Sequence, residues 1–208
     1  MKLKICGLKE PDNYMEVIAL NPDFTGFIFY DKSPRAIVSS TDPFALKAKN
    51  NIQRVGVFVD APISFIQQTV TKFDLDYIQL HGNESVTYIS ELKKHNYRII
   101  KAFGIHSAFE WSILEDYQDI VDYLLFDTST KNYGGSGIKF NWTLLENYTG
   151  NTPFFLSGGI SHEDIPSIKK VQHPQLYGID MNSKLEDYPG HKNIDLIQKS
   201  IKALKNEQ

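Results

Sequence analysis

The chain has one cysteine, Cys6, among 208 residues. No internal disulfide can form, and a cross-linked secreted scaffold is excluded. It also lacks a basic excess, since 22 Lys and Arg against 25 Asp and Glu leave a net charge of −3. Binders of nucleic acid or anionic membranes cluster positive charge, whereas the longest basic runs here are the pairs Lys93-Lys94 and Lys169-Lys170. No apolar stretch approaches the roughly 20 residues of a membrane helix. The opening Met-Lys-Leu-Lys-Ile-Cys-Gly lacks the apolar core of a signal peptide. Neither nucleic acid nor membrane is expected as a partner, and the expected location is the cytoplasm. The six histidines and one cysteine show no ligand spacing such as HxxxH or CxxC, so no metal is expected.

What is present is an alternation. Apolar, β-branched or aromatic runs recur at Lys2–Cys6, Phe24–Tyr30, Arg54–Val59, Tyr77–Leu80, Arg98–Phe103, Tyr123–Asp127, Phe154–Ser157 and Leu176–Asp180. Their starts lie roughly 20 to 30 residues apart, room for a strand, a helix and two loops. Their near-continuous hydrophobicity suits parallel strands covered on both faces. Between them, Ile63, Ile66, Val70 and Phe73 keep helical spacing, as do Ile89 with Leu92, and Ile194 with Ile197, Ile201 and Leu204. Pro11, Pro62 and Pro166 stand near helix starts, where a missing N–H costs little, and Thr41-Asp42-Pro43 looks like another helix entry.

Eight such units predict an α/β fold, a compact single-domain (β/α)8 TIM barrel spanning residues 1–208. A doubly wound open sheet is the alternative. The strand count and the lack of a dinucleotide fingerprint after the first run favour the barrel.

In such barrels chemistry sits where strands end and in the loops that follow. Strand one ends in Cys6-Gly7, strand two leads to Lys32-Ser33-Pro34-Arg35, and strand three ends at Asp60. Strand four ends in Gln79-Leu80-His81-Gly82, strand six in Asp127-Thr128, strand seven in Ser157-Gly158-Gly159, and strand eight in Asp180-Met181-Asn182-Ser183. Gly134, Gly135 and Gly137 crowd the loop after strand six. Each glycine reads either as a tight turn or as a place where main-chain N–H groups approach a ligand. Ser157-Gly158-Gly159-Ile160 is the strongest candidate for a phosphate site, because loops after strands seven and eight often make one.

Cys6 reads as a small buried hydrophobe or, from its place on the rim, as a base or nucleophile if cations lower its pKa. Asp127, after four apolar residues, reads as a cap or ion-pair partner, or as a general acid if partial burial keeps it protonated. Arg35 is a solvated loop charge or a bidentate clamp for carboxylate or phosphate. His81 is a rim histidine. Asp180 either orients a sugar hydroxyl or caps a helix.

In order along the chain stand Lys4-Ile5-Cys6-Gly7, Gly26-Phe27-Ile28-Phe29-Tyr30, Lys32-Ser33-Pro34-Arg35, Gly56-Val57-Phe58-Val59 and Gln79-Leu80-His81-Gly82. Phe126-Asp127, Gly134-Gly135-Ser136-Gly137, Leu156-Ser157-Gly158-Gly159-Ile160, Gly178-Ile179-Asp180, Glu186 and Pro189-Gly190-His191-Lys192 follow. This ordered set resembles the phosphoribosylanthranilate isomerases of tryptophan biosynthesis over nearly the whole chain. The resemblance implies a cofactor-free Amadori rearrangement of a small phosphosugar, with Cys6 as general base and Asp127 as general acid. It further implies that Arg35 holds the anthranilate carboxylate, that His81 and Asp180 line the pocket, and that Gly158, Gly159, Asn182 and Ser183 hold the phosphate. It leaves monomer or homodimer open. Lys184 departs from the family's usual glycine after the last strand. An indole-glycerol-phosphate synthase would rely on a lysine at a strand end and an epimerase on a metal site; a non-catalytic phosphosugar-binding module would need neither Cys6 nor Asp127.

Overall fold

The structure, a computed structural model, describes residues 1–38, 51–128 and 139–205. The suspected helix entry at Thr41-Asp42-Pro43 and the glycines 134, 135 and 137 lie outside the described residues.

All eight apolar runs are strands: β1 (Lys2–Ile5), β2 (Phe24–Ile28), β3 (Gln53–Phe58), β4 (Tyr77–Leu80), β5 (Arg98–Ile105), β6 (Tyr123–Thr128), β7 (Phe154–Leu156) and β8 (Leu176–Met181). They pair in parallel in sequence order, and β8 closes on β1 with Lys4 opposite Asp180. The sheet is a closed barrel, so it has no edge strands.

Helices α1 (Pro11–Ala19), α2 (Ile63–Phe73), α3 (Val86–Lys93), α4 (Ile165–Ile168) and α5 (Ile194–Lys205) cover its outside. Pro11 occupies the first position of α1. Ser85 caps α3, its hydroxyl accepting from the Tyr88 N–H at 3.2 Å. After β5 and β6, where the alternation leads one to expect α-helices, the described segments hold 3-10 turns at Trp111–Asp116 and Trp142–Asn147. Aromatic, β-branched and Asn residues concentrate there, and these are weak helix formers. A short hairpin, β9 (Glu186–Tyr188) with β10 (His191–Lys192), follows β8. It is tied to α1 by Asn13, whose amide donates to the Lys192 carbonyl at 2.8 Å and accepts from the Lys192 N–H at 2.7 Å.

Alternation along each strand sorts side chains into two sets. Leu3, Ile5, Phe27, Ile78, Leu80, Phe126 and Leu156 join the large cluster under the helices. Phe24, Val55, Tyr77, Ile100, Ala102, Leu125 and Phe155 form a second cluster, with Tyr123 and Tyr177 packed against it. In that cluster the Phe24 ring meets Phe155 edge-on at 5.2 Å and Tyr77 at 5.7 Å, and the Arg98 guanidinium lies 4.3 Å from the Tyr77 ring centre. These rings make an aromatic floor at the end where the strands begin. At the opposite end the same inward positions are polar: Cys6, Gln79, Asp127, Ser157 and Asp180.

Candidate active site

The polar end of the barrel opens into a cavity of about 310 Å3, within the size range of small-molecule sites. Every residue to which the resemblance gives a role lines it: Cys6, Arg35, His81, Asp127, Gly158, Gly159, Asp180, Asn182 and Ser183. Lys184 lines it too. None of the nine lies elsewhere.

Cys6 is 4% exposed, yet its thiol reaches the cavity. Burial pushes the thiol pKa up, and the charges of Lys4 and Lys192 pull against that. Room for the sulfur comes from β2. A Cβ on Gly26 would lie 2.7 Å from the Cys6 Sγ and 3.1 Å from the Lys4 Nζ. Only a hydrogen fits there.

Asp127 lies across the barrel at the end of β6, half-buried. One carboxylate oxygen accepts from the Thr128 N–H at 2.8 Å, and the other lies 3.3 Å from the His81 Nε2. The Gln79 amide nitrogen is 3.0 Å from the His81 Nδ1. As a donor it requires a bare Nδ1, which puts the ring proton on Nε2, facing Asp127. The Gln79 carbonyl oxygen is buried with no partner among the described residues. Behind β4, buried Lys101 and Glu84 pair at 3.1 Å, and Glu84 accepts from the Gly82 and Asp60 N–H groups, fixing the His81-Gly82 turn.

Asp180 shares its Oδ1 with the Lys4 Nζ at 2.9 Å, and both side chains are buried. Their strand positions are register partners on one face of the sheet, so the contact follows from the β1/β8 pairing. Burial pushes the Asp180 pKa up against the pull of Lys4.

Arg35 is already engaged. Its Nε and Nη2 hold Glu186 at 2.9 and 2.7 Å. Glu186 also accepts from the Lys192 Nζ at 2.7 Å, and that ammonium donates to the Asn182 Oδ1 at 2.8 Å. Burial lowers the Lys192 pKa to about 8 against the opposing charge of Glu186. The hairpin therefore braces both Arg35 and the loop after β8.

Gly158 has φ +99, and a Cβ there would come within van der Waals overlap of the Thr128 hydroxyl and 2.8 Å from the Thr128 N. Such a backbone is glycine's. After Gly158-Gly159, Ser161 and Asp164 form a capping box at the following turn. Among the described residues no group of three or more His, Cys, Asp or Glu is placed to hold a metal ion.

Sequence reasoning gave Lys4, Gln79, Glu186 and Lys192 no role in this site, although each stands in a segment that carries the resemblance. Two of them carry a readable signal: Lys4 and Gln79 are polar residues at inward positions of otherwise apolar strands. Glu186 and Lys192 act through contacts that only the folded hairpin creates.

Residues 3–203 match the family described as N-(5'phosphoribosyl)anthranilate (PRA) isomerase. The chain is 42% identical over 210 residues to the N-(5'-phosphoribosyl)anthranilate isomerase of Parabacteroides distasonis, covering 98% of this chain and 93% of the relative. It is 36% identical to that of Phocaeicola vulgatus, covering 100% and 99%. The crystal structure of the Thermotoga maritima phosphoribosyl anthranilate isomerase is similar with a TM-score of 0.88, 30% identity and 99% of each chain covered. A phosphoribosyl anthranilate isomerase in complex with reduced 1-(o-carboxyphenylamino)-1-deoxyribulose 5-phosphate is similar with a TM-score of 0.85, 27% identity and 99% of each chain covered.

Proposed function

This chain belongs to the N-(5'-phosphoribosyl)anthranilate isomerase family and is an isomerase of tryptophan biosynthesis; we propose that Cys6 and Asp127 carry its proton transfers. The observation that supports this most is their placement on opposite walls of one cavity that also holds Arg35, His81, Asp180 and the two glycine-rich strand ends.

The reaction is an internal redox rearrangement of the sugar and needs only proton movement. Asp127, as the acid, protonates the ribose ring oxygen. The bond from C1 to that oxygen breaks while the anthranilate nitrogen lone pair forms the C1=N bond of a Schiff base. His81, its Nε2 proton aimed at one oxygen of the Asp127 carboxyl group, holds that group in place. Cys6, as thiolate, takes the proton from C2, and the released electron pair makes the C1=C2 bond of an enolamine. The enolamine tautomerises to the ketone: a proton from solvent adds at C1 and the C2 hydroxyl proton passes to the Asp127 carboxylate, while the Cys6 thiol gives its proton to solvent, so both groups are restored. Atoms and electrons balance without an external oxidant.

Arg35 turns its Nη1 to the anthranilate carboxylate while Glu186 fixes the rest of the guanidinium. Main-chain N–H groups of Gly158, Gly159, Asn182 and Ser183 hold the phosphate, and the Lys184 charge adds to them where the family usually has glycine. Both anionic ends lie away from the reacting carbons, so binding there positions the sugar between acid and base. We place the enzyme in the cytoplasm as one barrel domain over residues 1–208. Among the described residues no helix is long and apolar enough to cross a membrane.

The test is turnover of freshly prepared phosphoribosylanthranilate, followed by the loss of anthranilate-type fluorescence. Cys6→Ser and Asp127→Asn are each expected to lose orders of magnitude in kcat while still binding a reduced product analogue. Near-normal kcat in either variant refutes its role.

A further inference from the structure

The reaction scheme leaves one buried cation inside the barrel without a task. Lys4 stands two residues before Cys6, so both side chains enter the interior. It is fully buried, a position that ionisable lysines occupy only with a partner. Asp180 takes one of its N–H donors at 2.9 Å. Its ammonium and the Cys6 sulfur both abut the space over Gly26, 3.1 and 2.7 Å from one point. That brackets them within the roughly 6 Å over which a cation favours an anion.

The other charged groups facing the thiol are arranged differently. From β10, the Lys192 ammonium is already shared among Glu186, the Asn182 carbonyl and the Asn182 side chain. From the loop after β2, Arg35 gives its Nε and Nη2 to Glu186 and turns its Nη1 to the anthranilate carboxylate. From β8, Asp180 is an anion and disfavours a thiolate. His81 and Asp127, from β4 and β6, pair with each other across the cavity. Among these described cations Lys4 is the one with donors left for the sulfur.

We propose that Lys4 is a positioning residue that holds Cys6 as the thiolate when it takes the sugar proton, with Asp180 fixing the ammonium. The proposal rests on Cys6 being the base. Burial alone works against a thiolate, and Lys4 is the foremost charge opposing it. The competing account is that Lys4 merely neutralises Asp180.

The single cysteine makes a direct test possible, because alkylation of the full chain by iodoacetamide reads Cys6 alone. Rate against pH reports the thiol pKa without any turnover. Lys4→Met and Lys4→Gln are expected to raise that pKa by at least one unit, slowing alkylation at pH 7 at least tenfold. Their kcat at pH 7 should fall at least tenfold and recover as pH rises, with KM little changed. Lys4→Arg, which keeps the cation, should retain most of the wild-type profile.

If Lys4 only neutralised Asp180, the K4M/D180N double variant would show the same thiol pKa as D180N. We expect it to lie at least one unit higher. D180N alone leaves Lys4 in place and should lower the thiol pKa; a rise overturns the proposal. Identical alkylation profiles for Lys4→Gln and Lys4→Arg also overturn it, whether or not Lys4→Met folds. Failure of the base reading looks different: Cys6→Ser would keep turning over, while the alkylation profiles still report the Lys4–Cys6 coupling.

Discussion

Replacing Gly26 by alanine puts the least possible matter in the most sensitive place. The new Cβ would sit 2.7 Å from the Cys6 sulfur and 3.1 Å from both the Cys6 Cα and the Lys4 Nζ. Heavy atoms rest at about 3.5–4.0 Å, so the sulfur must retreat by about 1 Å. Overpacking of this kind costs about 1–3 kcal/mol, and in a chain of this length each kcal/mol lowers Tm by about 2–4 °C. The catalytic cost should exceed the structural one. A displacement of about 1 Å in a reacting group costs on the order of 100-fold in rate, which is about 2.7 kcal/mol of barrier. The assay pairs steady-state turnover with thermal unfolding of the same preparations. Gly26→Ala should lose about two orders of magnitude in kcat with KM little changed, because the proposed carboxylate and phosphate subsites are untouched. A double-mutant cycle then isolates the cause. In a Cys6→Ala background the sulfur is gone, so the stability penalty of Gly26→Ala should shrink, leaving the milder contacts with the Cα of residue 6 and the Lys4 Nζ. If the penalty is the same in both backgrounds, or Gly26→Ala turns over normally, the crowding argument is wrong.

Acid should loosen the hairpin through Glu186. Burial works to raise that carboxyl's pKa, but hydrogen bonds and charge from Arg35 and Lys192, with the Gly190 N–H, outweigh it and leave it lowered. A depressed folded pKa means the unfolded chain binds more protons, so this stability is full above the ordinary glutamate value of about 4.3 and drains as pH falls through the folded one. Denaturant midpoints measured from pH 6 to pH 3 should fall more steeply for the wild type than for Glu186→Gln; equal slopes would count against it. Asn13→Ala strips the paired hydrogen bonds that tie α1 to Lys192, and unsatisfied buried partners should cost about 1–3 kcal/mol in an unfolding titration. Phe155→Ala removes a ring from the aromatic floor and should cost about 3–5 kcal/mol. Its kcat in the folded fraction should change far less than that of Gly26→Ala, since it lies at the far end of the barrel.

The strands were legible because both of their faces are covered, so each run is apolar with few polar interruptions. Boundaries moved where pairing rather than hydrophobicity decides them. β5 runs on through Gly104 and Ile105 because these pair with Asp127 and Thr128 of β6. The rim residues were legible because a parallel barrel brings all strand ends together, whatever their separation in the chain. What eluded the sequence was pairing. The Arg35–Glu186 contact spans 151 positions and the Lys4–Asp180 contact 176, and no local pattern encodes either. Alternation could still have flagged Lys4, since an inward lysine amid apolar neighbours demands a buried anion. In the described segments after β5 and β6 the return is made by 3-10 turns, because the β/α rhythm fixes only that the chain must return.

The floor of rings has a kinetic consequence. With Phe24, Tyr77, Tyr123, Phe155 and Tyr177 packed across one end of the barrel, the described residues leave the cavity open at the other end alone. Product must back out along the path by which the next substrate enters, so the two contend for a single opening. With the phosphate held near Gly158 and Ser183 as proposed, release of that grip enters turnover alongside the proton transfers. Changes to the mouth loops would alter traffic while leaving the chemistry beneath them untouched.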